Sequence, residues 1–192
     1  MRLFAAVDLD PSVRSAARSV AERLGRVLAG PGARRRSGVS WVREENLHLT
    51  MRFLGEVDDG RAAELVERFG EPCETATFSI ELCGIGIFPP SGPPRVVWIG
   101  VTNGADRLAV LDAEVERRMA AAGFGRDDRP FRAHLTIGRV KDALGPSGGR
   151  QMLAEPVGSL GTSRVTHVVL YESRLSARGP TYVALARAPL ST

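Results

Sequence analysis

The sequence predicts a two-lobed α+β fold with pseudo-twofold symmetry, and three observations carry that expectation. Strand-like runs alternate with amphipathic helices along the chain, and its two halves repeat one order of elements. Two near-identical strands, Leu47-His48-Leu49-Thr50 and Ala133-His134-Leu135-Thr136, stand about half the chain apart. Antiparallel sheets are expected to line a central cleft, with the helices outside.

The elements follow in order. Arg2–Leu9 reads as a buried strand, and Asp10-Pro11 then opens a helix with proline at its first position. Val13, Ala17, Val20, Leu24 and Leu28 recur at helical spacing and carry that helix to about residue 29. The stretch 30–38, with Arg34, Arg35 and Arg36 among its glycines, has no periodicity and is read as a solvated loop rather than a substrate flap. Leu47–Leu54 is the next strand, followed by a short helix marked by Ala62, Leu65, Val66 and Phe69. Phe78–Phe88 and Arg95–Val101 form a strand pair across a proline-rich turn. Asn103 is expected to cap a second long helix with Leu108, Leu111, Val115 and Met119 on its buried stripe. Ala133–Val140 is again a strand, and Val165–Tyr171 with Tyr182–Ala186 a final pair.

Composition narrows the function classes. A chain of 192 residues with 43% hydrophobic and 25% charged residues is an ordinary globular protein, long enough for its own core, and residues 1–192 are expected to form one domain of two packed lobes. Nothing approaches the ~20 apolar residues of a membrane span and no signal peptide is evident, so the expected location is the cytoplasm. Cys73 and Cys83 form no CxxC pair and are read as reduced thiols. The basic residues are all arginine except Lys141, and the net charge is +4, which is compatible with a nucleic-acid partner without establishing one.

The chemistry lies in the repeated pair. Residues two apart on a strand share a face, so His48 is paired with Thr50 and His134 with Thr136, while Leu49 and Leu135 face the core. An imidazole with an ordinary pKa of ~6.5 can be base or acid near neutral pH, and phosphodiester cleavage needs one of each. The threonine hydroxyls can donate to phosphate oxygens. A cation should assist, and two arginines compete for the role. Arg52 shares the face of His48 by strict alternation, whereas Arg139 has an odd offset from His134 that only irregular backbone near Gly138 would correct. The third histidine, His167, is read as structural, and Trp41, Phe88 and Trp98 as core rather than base platforms. A zinc site finds no HxH, HExxH or cysteine quartet, and neither GxSxG nor a Walker loop occurs.

The segments NLHLTMRFLGEV, HLTIGRV, GIGIFPP with RVVWIGV, and SRLSARGPTY resemble the RNA 2′,3′-cyclic phosphodiesterases, also known as 2′-5′ RNA ligases, of the 2H phosphoesterase superfamily. The resemblance implies the 2H fold and hydrolysis of a terminal 2′,3′-cyclic phosphate to a 2′-phosphate without metal or cofactor. It implies His48 as proton donor, His134 as proton acceptor, and Thr50, Thr136 and Arg139 as phosphate ligands, which favours Arg139 over Arg52. The implied partners are RNA or nucleotide ends with a cyclic phosphate; a monomer is the expected state, which the sequence itself does not fix. Ala133 departs from the proline that many members carry before the second histidine. Two alternatives stay open: the reverse, ligating reaction, and a noncatalytic nucleotide- or RNA-binding module.

Overall fold

β1 (Arg2–Asp8) lies inside the first of two five-stranded sheets, and β6 (Val96–Asn103) holds the middle of the second. The computed structural model describes residues 1–29, 38–127, 129–142, 144, 148–177 and 179–192. The arginine loop with Arg34, Arg35 and Arg36 lies outside the described residues. After β1 come α1 (Pro11–Ala29), β2 (Val39–Trp41), β3 (His48–Glu56), α2 (Asp59–Phe69), β4 (Cys73–Ala76) and β5 (Phe78–Phe88). After β6 come α3 (Ala105–Ala121), β7 (His134–Val140), α4 (Gly148–Ala154), β8 (Thr162–Val165), β9 (His167–Ser176) and β10 (Gly179–Ser191).

The first sheet has the order β3-β1-β9-β10-β4 and the second β2-β7-β6-β5-β8. All pairings are antiparallel except that of β4 with β10. Each histidine strand pairs with the strand that precedes a long helix, β3 with β1 and β7 with β6. The next strand in each sheet comes from the opposite half of the chain, β9 in the first and β5 in the second. The lobes are therefore not the sequence halves. The turn after Phe88 folds β5 back on β6 as a hairpin, and sequential strands tend to pair, so β5 joins the second sheet and leaves its place in the first to β9.

The long helices reinforce the exchange. α1 leaves the first sheet and packs on β7 of the second, and α3 leaves the second and packs on β3 of the first. One hydrophobic cluster runs through both sheets, with Leu24, Leu49, Ile99, Leu111, Leu135 and Leu170 at 0–1% exposure. Burying each such side chain contributes on the order of 1.5–3 kcal/mol relative to exposure, so both histidine strands are anchored by the leucine beside the histidine.

Two local expectations need correction. Asn103 does not cap α3, because it ends β6 opposite Glu81, and Gly104 takes the N-cap at φ +76. A Cβ at Gly104 would lie 2.5 Å from the Ser79 carbonyl oxygen, so only glycine fits there. Asp10 precedes α1 as expected, but its carboxylate turns aside to accept from the Arg164 backbone N–H, and its own N–H donates to Ser163 Oγ.

Candidate active site

β3 and β7 come together where the two sheets meet, and the cleft between them has a volume of about 760 Å³. His48, Thr50, His134, Thr136 and Arg139 all line it. Within β3, Leu49 and Met51 face the core while His48 and Thr50 stay half-buried; within β7, Leu135 and Ile137 are buried while His134 and Thr136 stay half-buried.

Both strands break their alternation at the same place. In the β1–β3 ladder Ala6 faces Thr50 and Ala5 faces Arg52, so Met51 is the extra residue of a bulge. In the β6–β7 ladder Trp98 faces Thr136 and Val97 faces Gly138, so Ile137 is extra in the same way. The second bulge puts both Ile137 and Gly138 on the buried side and returns Arg139 to the cleft, as its odd offset required. Gly138 itself answers to packing: a Cβ there would lie 2.8 Å from Trp41 Cε3 and 2.8 Å from Val39 Cγ1.

The imidazoles are held alike. His48 Nδ1 lies 2.8 Å from the Asn46 carbonyl oxygen, and His134 Nδ1 lies 2.6 Å from that of Arg132. A carbonyl only accepts, so in both rings Nδ1 carries the donating hydrogen and Nε2 is the nitrogen left to exchange a proton. Nε2 of His48 lies 3.0 Å from Thr50 Oγ1. Around His48 stand Phe4, with ring centroids 4.9 Å apart, and Tyr182 at 5.2 Å and edge-on. Around His134 stand Phe88 at 5.2 Å and Trp98 at 6.2 Å, both edge-on.

These rings take water away from the imidazoles, and the loss disfavours the charged form. Burial pushes His48 down to about 4, aided by the positive field of Arg139 and opposed by the Asn46 bond and the charge of Asp8. Burial also lowers His134, with Arg139 again contributing and the Arg132 carbonyl opposing. One cation therefore bears on both rings.

Arg52, the competing arginine, reaches the cleft wall but is already paired. It is 8% exposed, its Nε lies 3.1 Å from Glu116 Oε2, its Nη1 lies 3.2 Å from Asp127 Oδ2, and its Nη2 donates to the Gly125 carbonyl. Nearby Asp112, robbed of water and facing Glu116 and Asp127, is pushed up to about 6. Arg139 has no carboxylate within ion-pair distance among the described residues.

Family membership follows from the doubled arrangement. The family model for LigT-like phosphoesterases matches residues 7–98 and matches again at residues 99–182. The chain belongs to the LigT-like phosphoesterase family. The two matches begin within β1 and β6, the strands that precede the long helices, so the repeat inferred from the two histidine strands is a duplication of the LigT-like unit. The chain is 39% identical over 182 residues to the RNA 2′,3′-cyclic phosphodiesterase of Archaeoglobus fulgidus, covering 95% of this chain and 96% of that one. It is 34% identical to the protein of the same name from Thermotoga maritima, over 96% of this chain and 93% of the relative. Escherichia coli LigT in complex with 3′-AMP superposes with a TM-score of 0.76 at 26% identity, covering 100% of this chain and 98% of LigT.

Not all of the cleft is legible in the sequence of this LigT-like chain. Phe4 and Tyr182 flank His48, a role that strand pattern alone does not signal, although alternation along β1 sets Phe4 on the face opposite Leu3 and Ala5. Phe88 was read as core yet lines the cleft. Trp98 packs behind it, with ring centroids 5.1 Å apart, and Trp41 fills the space against Gly25 and Gly138. His167 does not line the cleft; it bonds Thr166 Oγ1 and Arg187 and lies 3.5 Å from Asp8. Cys73 and Cys83 are free thiols. Among the described residues no helix is long and apolar enough to cross a membrane, and no group of three or more His, Cys, Asp or Glu could hold a metal ion.

Proposed function

We propose that this chain hydrolyses terminal RNA 2′,3′-cyclic phosphates to 2′-phosphates by acid/base catalysis between His48 and His134. The observation that carries the reading is the matched pair of imidazoles lining one cleft, each with Nδ1 tied to a carbonyl two residues earlier, and with Nε2 of His48 beside Thr50 Oγ1. The names of the relatives support the same substrate class.

In the proposed step His134 Nε2 takes a proton from water as the water oxygen bonds to phosphorus. The bond from phosphorus to O3′ breaks, and His48 Nε2–H protonates O3′ on the far side. The product has a 2′-phosphate and a free 3′-hydroxyl. Thr50, Thr136 and Arg139 hold the phosphate oxygens, where fixed donors in a site short of water act most strongly. The donor role for His48 requires a proton whose binding burial disfavours. The entering phosphate supplies the condition, because a negative charge beside the ring favours imidazolium and offsets the field of Arg139.

Both motifs belong to one chain and one cleft, so a monomer acting as a single catalytic unit suffices, and the proposed setting is the cytoplasm. The test is turnover of cytidine 2′,3′-cyclic monophosphate with EDTA present, with the product resolved as the 2′- or 3′-phosphate. The 2′-phosphate is expected. Binding without turnover would favour a noncatalytic module, and joining to a 5′-hydroxyl oligonucleotide in preference to hydrolysis would favour the ligating direction.

A further inference from the structure

The cleft has more cation than one cyclic phosphate needs. Among the described residues five arginines line it: Arg2, Arg52, Arg129, Arg132 and Arg139. Arg52 is paired with Glu116 and Asp127, and Arg129 is paired with Asp127 through contacts of 2.8 and 2.6 Å. Arg139 lines the same cleft, and its charge lowers the proton affinity of both imidazoles. Arg2 has neither a carboxylate nor a hydrogen-bond partner among the described residues, although it shares the cleft with the other guanidinium groups. Unpaired like charges in one cleft repel each other, and an anion removes that penalty.

The position of Arg2 says which anion. Arg2 and Arg139 both bear on the Tyr182 hydroxyl, but only Arg139 bears on the two imidazoles. By strand alternation Arg2 shares the face of Phe4, the ring that packs on His48, and stands about 7 Å further along β1. It is thus displaced from the reacting phosphate by roughly one step of a strand. Beside it an apolar surface is left open. Phe53 lies opposite Phe4 in the β1–β3 ladder, with ring centroids 6.0 Å apart, yet is 49% exposed, and Leu175 on the same cleft wall is 68% exposed.

We propose that Arg2 and Phe53 form a subsite for the nucleotide on the 5′ side of the cyclic end, Arg2 holding the internucleotide phosphate and Phe53 stacking the base. This deepens the hydrolase reading above and rests on it: it names the residues that hold the nucleotide preceding the cyclic end. A cation beside an open aromatic face is the pairing by which proteins hold single-stranded nucleic acid without reading its sequence.

The two motifs differ at just this point. Phe53 stands where Arg139 stands in the second motif, five residues after its histidine and past the same bulge. One wall of the cleft thereby offers a cation to the reacting phosphate, and the other offers a ring to a neighbouring base.

The experiment compares kcat/KM for cytidine 2′,3′-cyclic monophosphate with that for a cytidine dinucleotide ending in a 2′,3′-cyclic phosphate. The wild type is expected to favour the dinucleotide by about tenfold or more, within the range that stacking of one base provides. Arg2→Ala and Phe53→Ala should each reduce that ratio severalfold, Phe53→Tyr should preserve it, and added salt should lower it in the wild type more than in Arg2→Ala. Equal rates on the two substrates in the wild type, or a ratio unchanged in both alanine variants, would overturn the subsite while leaving the hydrolase reading intact. A wild type that opens neither substrate would remove the hydrolase reading and the subsite with it.

Discussion

Arg139 and His48 belong to different sheets, yet the guanidinium of Arg139 lowers the proton affinity of His48 as well as that of its own neighbour His134. The bulge at Ile137 makes this possible by turning Arg139 into the cleft. Arg139→Ala is expected to raise KM and lower kcat, reducing kcat/KM by about 10²-fold, the scale of one oriented donor to a charged phosphate, with Lys restoring only part because a point charge lacks the planar fork. Steady-state kinetics on the cyclic mononucleotide check this. Unchanged parameters in Arg139→Ala would return the phosphate to another cation.

Arg52 should behave in the opposite way. Its removal leaves Glu116 and Asp127 without their shared cation in a partly buried setting, and breaking such a pair costs up to about 3–5 kcal/mol when fully buried and less here, where both carboxylates are 24% exposed. Arg52→Met is therefore expected to lower the urea unfolding midpoint clearly while changing KM less than Arg139→Ala does. A variant with full stability and a large loss of phosphate affinity would reverse the two assignments.

The proton affinity of His48 can be read directly. With the cleft empty the imidazole should resist protonation until well below its ordinary 6.5, near 4, and inorganic phosphate should raise it. Asp8→Asn should lower it further, since the Asp8 charge favours imidazolium. The sign for stability follows. Between pH 6.5 and 4 the unfolded chain binds a proton at this position that the folded chain refuses, so this group makes stability fall as pH falls through that window. Histidine NMR titrations with and without phosphate measure both effects, and a His48 that titrates at 6.5 in the empty protein would contradict the burial argument.

Gly138→Ala tests the link between packing and site. The added methyl meets Trp41 and Val39 at 2.8 Å, and the overpacking is expected to cost about 1–3 kcal/mol and to reduce kcat/KM, because Arg139 follows directly. Denaturant midpoints and kinetics on the same preparation check it. A neutral result would mean that β2 yields without moving Arg139.

The sequence announced the histidine strands because alternation and repetition are local signals. His48, Thr50, His134 and Thr136 share the cleft as their two-residue spacing implied, and β5 occupies the expected Phe78–Phe88. What lay beyond local pattern was pairing at a distance. No periodicity reveals that β9 displaces β5 from the first sheet, nor that Arg52 meets Glu116 and Asp127 from α3 and the segment after it. The short strands Val39–Trp41 and Cys73–Ala76 and the helix Gly148–Ala154 also passed unseen, since three to seven residues hold too few turns of any period to register. Alternation alone made Arg52 a competing candidate beside His48; it does line the cleft, but Glu116 and Asp127, which no local pattern links to it, already hold its guanidinium.

The most direct test of two-histidine catalysis is kcat/KM against pH on cytidine 2′,3′-cyclic monophosphate for the wild type, His48→Ala, His134→Ala and the double variant, each with and without EDTA. The expected wild-type profile is bell-shaped, rising as the base loses its proton and falling as the acid loses its own, and insensitive to chelator. Each single variant should lose about 10²–10⁴-fold, and the double variant far less than the product of the two, because the pair acts as one unit. Single variants that keep the full rate, or activity abolished by EDTA, would contradict the account.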